Sequence, residues 1–156
     1  MSVLDAQAVV AAFVGEPAAG EVEVLLRGGD GPPRISAANV AEIIDVLGRF
    51  RSQGVELVVE RLDWLIAGGL QVTAVDDGIA RRAGAIRARR YHARQRPISL
   101  ADCLALATAL ALDDVLATSD PHLLDTATAE GCRVRALPDS RGVKHAVVPL
   151  PDVPRA

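Results

Sequence analysis

Short unbroken apolar runs alternate along this chain with longer segments in which apolar residues recur every three or four positions. The first kind reads as buried strand and the second as helix packed on one side. "SVLD" is an apolar run ending on an acid, and "AQAVVAAFVG" follows with helix-forming composition, punctuated by Gly15 and Pro17. "AAGEVEVLLRGG" predicts a second helix stopped by Gly28 and Gly29, "DGPPR" a loop, and "RIS" a very short strand. Ser36 stands at the N-cap of "AANVAEIIDVLGRFRSQG", an amphipathic helix closed by Gly54. "VELVVERLDWLIAGG" predicts another, with Val55, Val58, Val59, Leu62, Leu65 and Ile66 on one stripe. "LQVTAV" reads as strand, and "DDGIARRAGAIRARRYHAR" as a basic helix capped by Asp76 or Asp77 and broken at "RPI". "SLADCLALATALAL" is apolar nearly all round, which marks a buried helix. "VLAT" then reads as strand, "DPHLLDTATAEG" as helix and "CRVRAL" as strand.

Strands alternating with helices imply an α/β fold of three layers, α/β/α, around a short, mostly parallel sheet covered on both faces. The pattern runs through residues 1–136 as one domain. Residues 137–156 hold four of the nine prolines and read as a Pro-rich arm, partly extended, with one edge strand at "HAVV" and a frayed end.

Composition narrows the class. Half of the 156 residues are hydrophobic and 3% aromatic, so the core is built from Ala, Leu, Val and Ile. Cys103 and Cys132 lie in separate apolar contexts, which fits buried thiols in a reducing compartment. The longest apolar run, "LALATALAL", is too short for a membrane span, and the expectation is a cytoplasmic protein. Net charge is −3, yet Arg81–Arg96 carries seven arginines in sixteen residues and no acid. A local anionic partner or a solvated helix face accounts equally well for that run.

The acids are placed more tellingly. Asp5 ends the first strand, Glu42 sits in the second turn of the helix after "RIS", and Asp120 follows "VLAT". All three lie beyond carboxyl ends of strands, the edge where open α/β sheets bind ligands. Asp102 begins a helix that returns antiparallel to its strand, which brings it back toward Asp120. Each acid alone has a plain structural role. Asp120 with Pro121 is a helix start, and "SLAD" is a capping box of Ser99 and Asp102. Together they crowd carboxylates on one edge with no basic residue beside them in sequence, a cost that a divalent cation removes. Carboxylates and water suit Mg²⁺ or Mn²⁺ and not zinc.

The ordered set "SVLDAQAVVAAFVGEP", "RISAANVAEIIDVL", "ISLADCLALATALAL" and "VLATSDPHL" resembles PIN-domain proteins of the VapC-like toxin group, over most of residues 2–124. The resemblance implies a PIN-like fold and a metal-dependent endoribonuclease, the toxin of a toxin–antitoxin module. It maps the acids of that group onto Asp5, Glu42, Asp102 and Asp120, with supporting polar groups at Asn39 and Thr118. It further implies a small antitoxin partner and a homodimer, for which the helices at 17–27 and 55–68 offer surfaces. One position departs: where the group carries Ser or Thr near the first Asp, this chain has Ala6 and Gln7.

On this reading one or two Mg²⁺ or Mn²⁺ ions sit among the acids, with Asp5 and Asp102 nearest and Glu42 and Asp120 acting partly through water. RNA requires positive charge to meet its phosphates. Arg82, Arg89, Arg90 and Arg96 are the RNA contacts expected from a set that also includes Arg81, Arg87 and Arg94. Recognition by stacking on several bases is not expected with so few aromatics, and Trp64 reads as core or interface. His122 is expected at the surface. The chief rival is a non-catalytic PIN-like module that binds RNA or protein. A phosphatase built on Asp5 lacks a second Asp at position 7, and no Gly-Lys-Ser/Thr phosphate loop follows any strand.

Overall fold

A computed structural model of the chain describes residues 1–28, 31–50 and 54–147. The elements run β1 (Ser2–Leu4), α1 (Ala6–Val14), α2 (Ala19–Leu26), β2 (Arg34–Ser36), α3 (Ala37–Phe50), α4 (Val55–Ala67), β3 (Gln71–Thr73), α5 (Asp77–Arg90), α6 (Leu100–Leu112), β4 (Val115–Thr118), α7 (Pro121–Ala129) and β5 (Val134–Ala136). The strands form one sheet in the order β3-β2-β1-β4-β5, and each pairing is parallel.

The two-residue period of the strands divides the core. Leu4 and Ala117 face one side, where they pack with α1, α2, α3 and α4 through residues such as Val9, Val22, Ile43, Leu47, Val58 and Leu62. Val3 and Leu116 face the other side and meet α5, α6 and α7 through Ile79, Ile86, Leu106 and Leu123. Both faces of β1 and most of β4 are thereby buried, which is why these central strands carry unbroken apolar runs, while the edge strand β3 is largely exposed. The result is the three-layer α/β/α architecture. At the amino edge of the sheet Asp114 is 4% exposed and binds Arg34 Nη1 at 2.6 Å, joining the entries to β4 and β2.

Caps fall where the polar punctuation stands. Gly15 ends α1 in the left-handed conformation with φ 72°. Asp76, not Asp77, caps α5 by accepting from the Ile79 N–H at 2.8 Å. Ser99 and Asp102 form a complete capping box on α6.

Several boundaries differ from the sequence pattern. The basic helix ends at Arg90, because Tyr91 turns extended and His92 and Arg96 exchange backbone hydrogen bonds in a tight loop. The α4 stripe is narrower than its spacing predicts. Val58 and Leu62 are buried and Leu65 is partly buried against the same core, whereas Val55, Val59 and Ile66 are exposed. Trp64 is 73% exposed and is not core.

Leu137, at the start of the Pro-rich arm, is fully buried in the α1–α4 side of the core. Beyond it a turn at Asp139 brings Lys144 back to bridge Pro138. Lys144 then pairs with Glu21 and His145 with Asp125. With those side chains drawn onto α2 and α7, residues 145–147 form no strand, contrary to the edge strand read at "HAVV". Val148 and the frayed end, the loop positions Gly29 and Asp30, and the "RSQ" before Gly54 lie outside the described residues.

Candidate active site

The carboxyl ends of β1 and β4 lie side by side where the sheet changes direction of winding. From β1 the chain leaves into α1 on one face, and from β4 into α7 on the other, which opens a crevice between them. Asp5 follows β1 directly and is 1% exposed. Its backbone N–H donates to the Ala117 carbonyl at 3.1 Å, which fixes the residue against β4. Thr118 Oγ1 donates to Asp5 Oδ2 at 2.8 Å, and Asn39 Nδ2 lies 3.5 Å from Oδ1.

α3 enters from β2 and brings two side chains one turn apart. Asn39 is fully buried, and its Nδ2 donates to Glu42 Oε2 at 3.2 Å and reaches the Ala101 carbonyl at 3.5 Å. Its Oδ1 is buried with no hydrogen-bond partner. α6 enters from the opposite face. Ser99 N–H donates to Asp102 Oδ2 at 2.6 Å while Ser99 Oγ accepts from the Asp102 N–H at 3.0 Å, so the capping box fixes that carboxylate at the helix N-terminus.

One carboxylate oxygen from each of Asp5, Glu42 and Asp102 lies within 4.8 Å of the others. Asp120 stands apart from this trio. Its Oδ1 caps α7 by accepting from the His122 and Leu123 N–H groups at 2.7 and 3.3 Å, and its own N–H donates to Thr118 Oγ1 at 3.0 Å. Asp120 nevertheless sits close enough for its charge to push the Asp102 carboxyl up.

Burial and mutual repulsion govern the ionisation of the trio. Burial, then the charge of Asp102, push Asp5 to about 8, against the hydrogen bond from Thr118. Burial raises Glu42, again with Asp102 as the main charge. Burial also raises Asp102, opposed by the Ser99 N–H. No Lys or Arg of the described residues makes an ion pair with any of these acids or with Asp120. The site is therefore a pocket of unneutralised carboxylate oxygen, with one buried amide as its main polar neighbour. An all-oxygen donor set of this kind fits a hard divalent cation such as Mg²⁺ or Mn²⁺.

An open α/β/α sheet with an acid cluster at its winding reversal defines the class of protein. The family model for the PIN domain matches residues 2–129, and the chain belongs to the PIN domain family. Among solved structures it is similar to VapBC2 from Rickettsia felis bound to a DNA fragment from their promoter, at TM-score 0.65 and 17% identity over 87% of this chain and 98% of that one. It is also similar to DNA-bound VapBC from Salmonella typhimurium, at TM-score 0.64 and 20% identity over 86% and 96% of the two chains. FitAcB from Neisseria gonorrhoeae gives TM-score 0.59 and 23% identity over 86% and 96%. No curated protein sequence matches the chain.

The expected arginines divide. Arg89 and Arg90 both bind Glu130, at 3.0 and 2.7 Å, which ties the end of α5 to the end of α7. Arg82 is exposed and Arg96 half-buried, and neither pairs with a carboxylate among the described residues. Glu130 was not legible as their partner, because forty residues separate it from Arg90 and nothing local marks it. Tyr91, exposed at the end of α5 with the Arg87 guanidinium 4.3 Å from its ring centroid, also went unnoticed. The signal available was an aromatic directly after a basic helix.

Proposed function

We propose that the chain is a metal-dependent endoribonuclease that hydrolyses RNA phosphodiester bonds, and that it is the toxin of a toxin–antitoxin pair. The observation that carries this reading is the convergence of Asp5, Glu42 and Asp102 oxygens within 4.8 Å, with no Lys or Arg of the described residues in an ion pair with them. Asp5, Glu42 and Asp102 would hold a Mg²⁺ or Mn²⁺ ion, with Asp120 contributing through its free oxygen by way of water. When bound, the ion supplies a Lewis acid that lowers the pKa of a coordinated water and offsets charge on the scissile phosphate.

The chain's own residues set the stage. Thr118 and Asn39 orient the Asp5 carboxylate, and the Ser99 capping box holds Asp102 in place. The Gln7 position offers no hydroxyl, and Thr118 supplies one from β4 instead. The N-terminus of α6 points toward this edge, and its dipole favours an incoming phosphate, whereas at α7 Asp120 already takes the His122 and Leu123 N–H groups. Arginines of α5 and the following loop, among them the exposed Arg82 and the half-buried Arg96, meet the RNA backbone.

The antitoxin is assigned to the groove between α2 and α4. That groove holds about 260 Å³ and is lined by Leu26, Trp64 and Leu65 with Glu23 and Arg27 at the rim. An exposed tryptophan in an apolar groove is the usual anchor for a partner. Val55, Val59 and Ile66, exposed on the other flank of α4, are assigned to contact between two copies of the chain. No helix among the described residues is long and apolar enough to cross a membrane, and the cytoplasm, where RNA and antitoxin meet, is the compartment this reading requires.

The test is cleavage of a pool of structured cellular RNAs by the purified chain, with Mg²⁺, with Mn²⁺ and with chelator. Asp5→Asn and Asp102→Asn variants of verified fold accompany it. Metal-dependent cuts that vanish in both variants are expected. Tight RNA binding without cleavage under every condition would replace the nuclease with a non-catalytic binding module.

A further inference from the structure

On the α5 side of α6, away from the acid trio, a second concavity of about 310 Å³ is bounded by Gly84, Arg87, Ala88, Tyr91 and Leu100. Its walls are unusual for a solvent-facing surface. Tyr91 is 44% and Leu100 54% exposed, so two large apolar side chains line an open recess. Gly84 and Ala88 keep the helix side of it flat. The Arg87 guanidinium lies over the Tyr91 ring with its carbon 4.3 Å from the centroid. Arg87 Nε is buried and donates to nothing. A buried N–H left unpaired is unfavourable, and a ligand acceptor that draws the guanidinium outward would remove the penalty.

Charge and position say what would enter. The recess sits at the end of the arginine-rich helix, and the next loop presents Arg94 and Arg96, neither of which pairs with a carboxylate among the described residues. Leu100 is the first residue of α6, whose third residue is Asp102 of the acid trio. A flat apolar recess with one aromatic face and one planar donor, followed in the chain by an arginine-bearing loop, is the chemistry of a base-stacking platform beside a phosphate track. Guanidinium donors pair with carbonyl oxygens of bases, which guanine, uracil and cytosine carry and adenine lacks.

We propose that this recess is a subsite for one unpaired nucleobase bearing a ring carbonyl, held by stacking on Tyr91 and by a hydrogen bond from Arg87. The subsite rests on the ribonuclease reading and gives it a local base preference, with adenine disfavoured. Stacking on a single platform is compatible with a chain that has one tyrosine and one tryptophan.

The test is binding of fluorescein-labelled uridine and adenosine octamers to the full chain in EDTA, where cleavage does not interfere, read by anisotropy over a range of salt. The uridine octamer is expected to bind more tightly. Tyr91→Ala should weaken it by about 5- to 140-fold, the factor equivalent to ~1–3 kcal/mol of base–aromatic stacking, without changing the salt slope. Tyr91→Phe should keep the affinity, and Arg87→Ala should erase the preference over adenosine. Arg82→Ala, by contrast, should weaken both octamers alike and reduce the salt slope by about one. Unchanged uridine affinity in a folded Tyr91→Ala variant would overturn the subsite, as would loss of antitoxin binding alone in that variant. A chain that cleaves no RNA but shows the Tyr91-dependent preference would keep the subsite and remove the nuclease. Cleavage and binding indifferent to base identity would do the reverse.

Discussion

Raising the pH should destabilise the metal-free protein, and the acid trio gives the size of the effect. Asp5 titrates at about 8 in the fold against 3.8 in an unstructured chain, first through burial and then through the charge of Asp102. Between those values the folded chain holds a proton that the unfolded chain has released. Stability from this group is therefore complete below pH ~4, and it is lost as pH rises toward 8, by at most about 1.4 kcal/mol per unit. From pH 5 to 7 the loss is about 2–3 kcal/mol, or about 5–10 °C in Tm for a domain of this size. Glu42 and Asp102 are raised as well and act in the same direction. Glu130 acts oppositely: burial pushes it up, but Arg90 and Arg89 hold it below its ordinary value, so its contribution is already in place above pH 5. The assay is thermal unfolding in EDTA at pH 5, 6 and 7, for the natural chain and for Asp5→Asn. The natural chain should lose Tm with rising pH, and Asp5→Asn should flatten that loss and melt higher at pH 7. Added Mn²⁺ should restore the natural chain at pH 7 more than at pH 5, because displacing the Asp5 proton costs about 1.4 kcal/mol less for each unit that the pH rises toward 8. A natural chain whose Tm holds or climbs from pH 5 to 7, or an Asp5→Asn variant with the same slope, would refute the electrostatic account of the site.

Three further outcomes follow from contacts described above. Ser99→Ala removes the hydroxyl that accepts the Asp102 N–H, with an expected loss of about 1 kcal/mol in urea unfolding, but it keeps the Ser99 backbone N–H that holds the Asp102 carboxylate, so RNA cleavage per folded molecule should stay close to that of the natural chain; Ser99→Thr should retain both. Trp64→Ala should leave stability within about 0.5 kcal/mol, because the side chain is 73% exposed, while titration calorimetry with the cognate antitoxin should show affinity falling by more than about 2 kcal/mol. Arg34→Ala leaves the buried Asp114 carboxylate with the Met1 ammonium, 3.2 Å from Oδ1, as its remaining cation and should cost about 2 kcal/mol in chemical denaturation, below the range for a fully broken buried pair; adding Asp114→Asn should recover part of it.

The sequence makes the fold readable because its central strands β1 and β4 are buried on both faces and the helices α5, α6 and α7 begin on polar caps. Asp76, Ser99 and Asp120 each announce a helix through side-chain chemistry that acts within three residues, and each is found capping. What stays hidden depends on distance. The partnership of Glu130 with Arg89 and Arg90 spans forty residues, and that of Arg34 with Asp114 spans eighty. The width of the α4 stripe depends on how much of α3 stands opposite, which apolar spacing does not encode. The four acids were legible as sharing one edge. Their separation into a trio and a neighbour was not, because the same carboxylate at Asp120 that points to the edge also binds two backbone N–H groups of its own helix. Asn39 was legible as a companion of Glu42, but its simultaneous reach to Asp5 and Ala101 required the meeting of α3 and α6.

The crevice draws together Asp5, Glu42 and Asp102, which are separated by 37 and 60 positions in the chain, and Thr118 completes the hold on Asp5. A nascent polypeptide therefore lacks the completed site until synthesis has passed β4, since β1 sits between β2 and β4 and has both neighbours only then. Whatever chemistry the acids perform arises in one step, after β4 has been made. The α2–α4 groove, made wholly from residues before position 70, is complete in sequence well before that moment. A partner that recognises this groove has the opportunity to engage the chain while its acids are still unassembled.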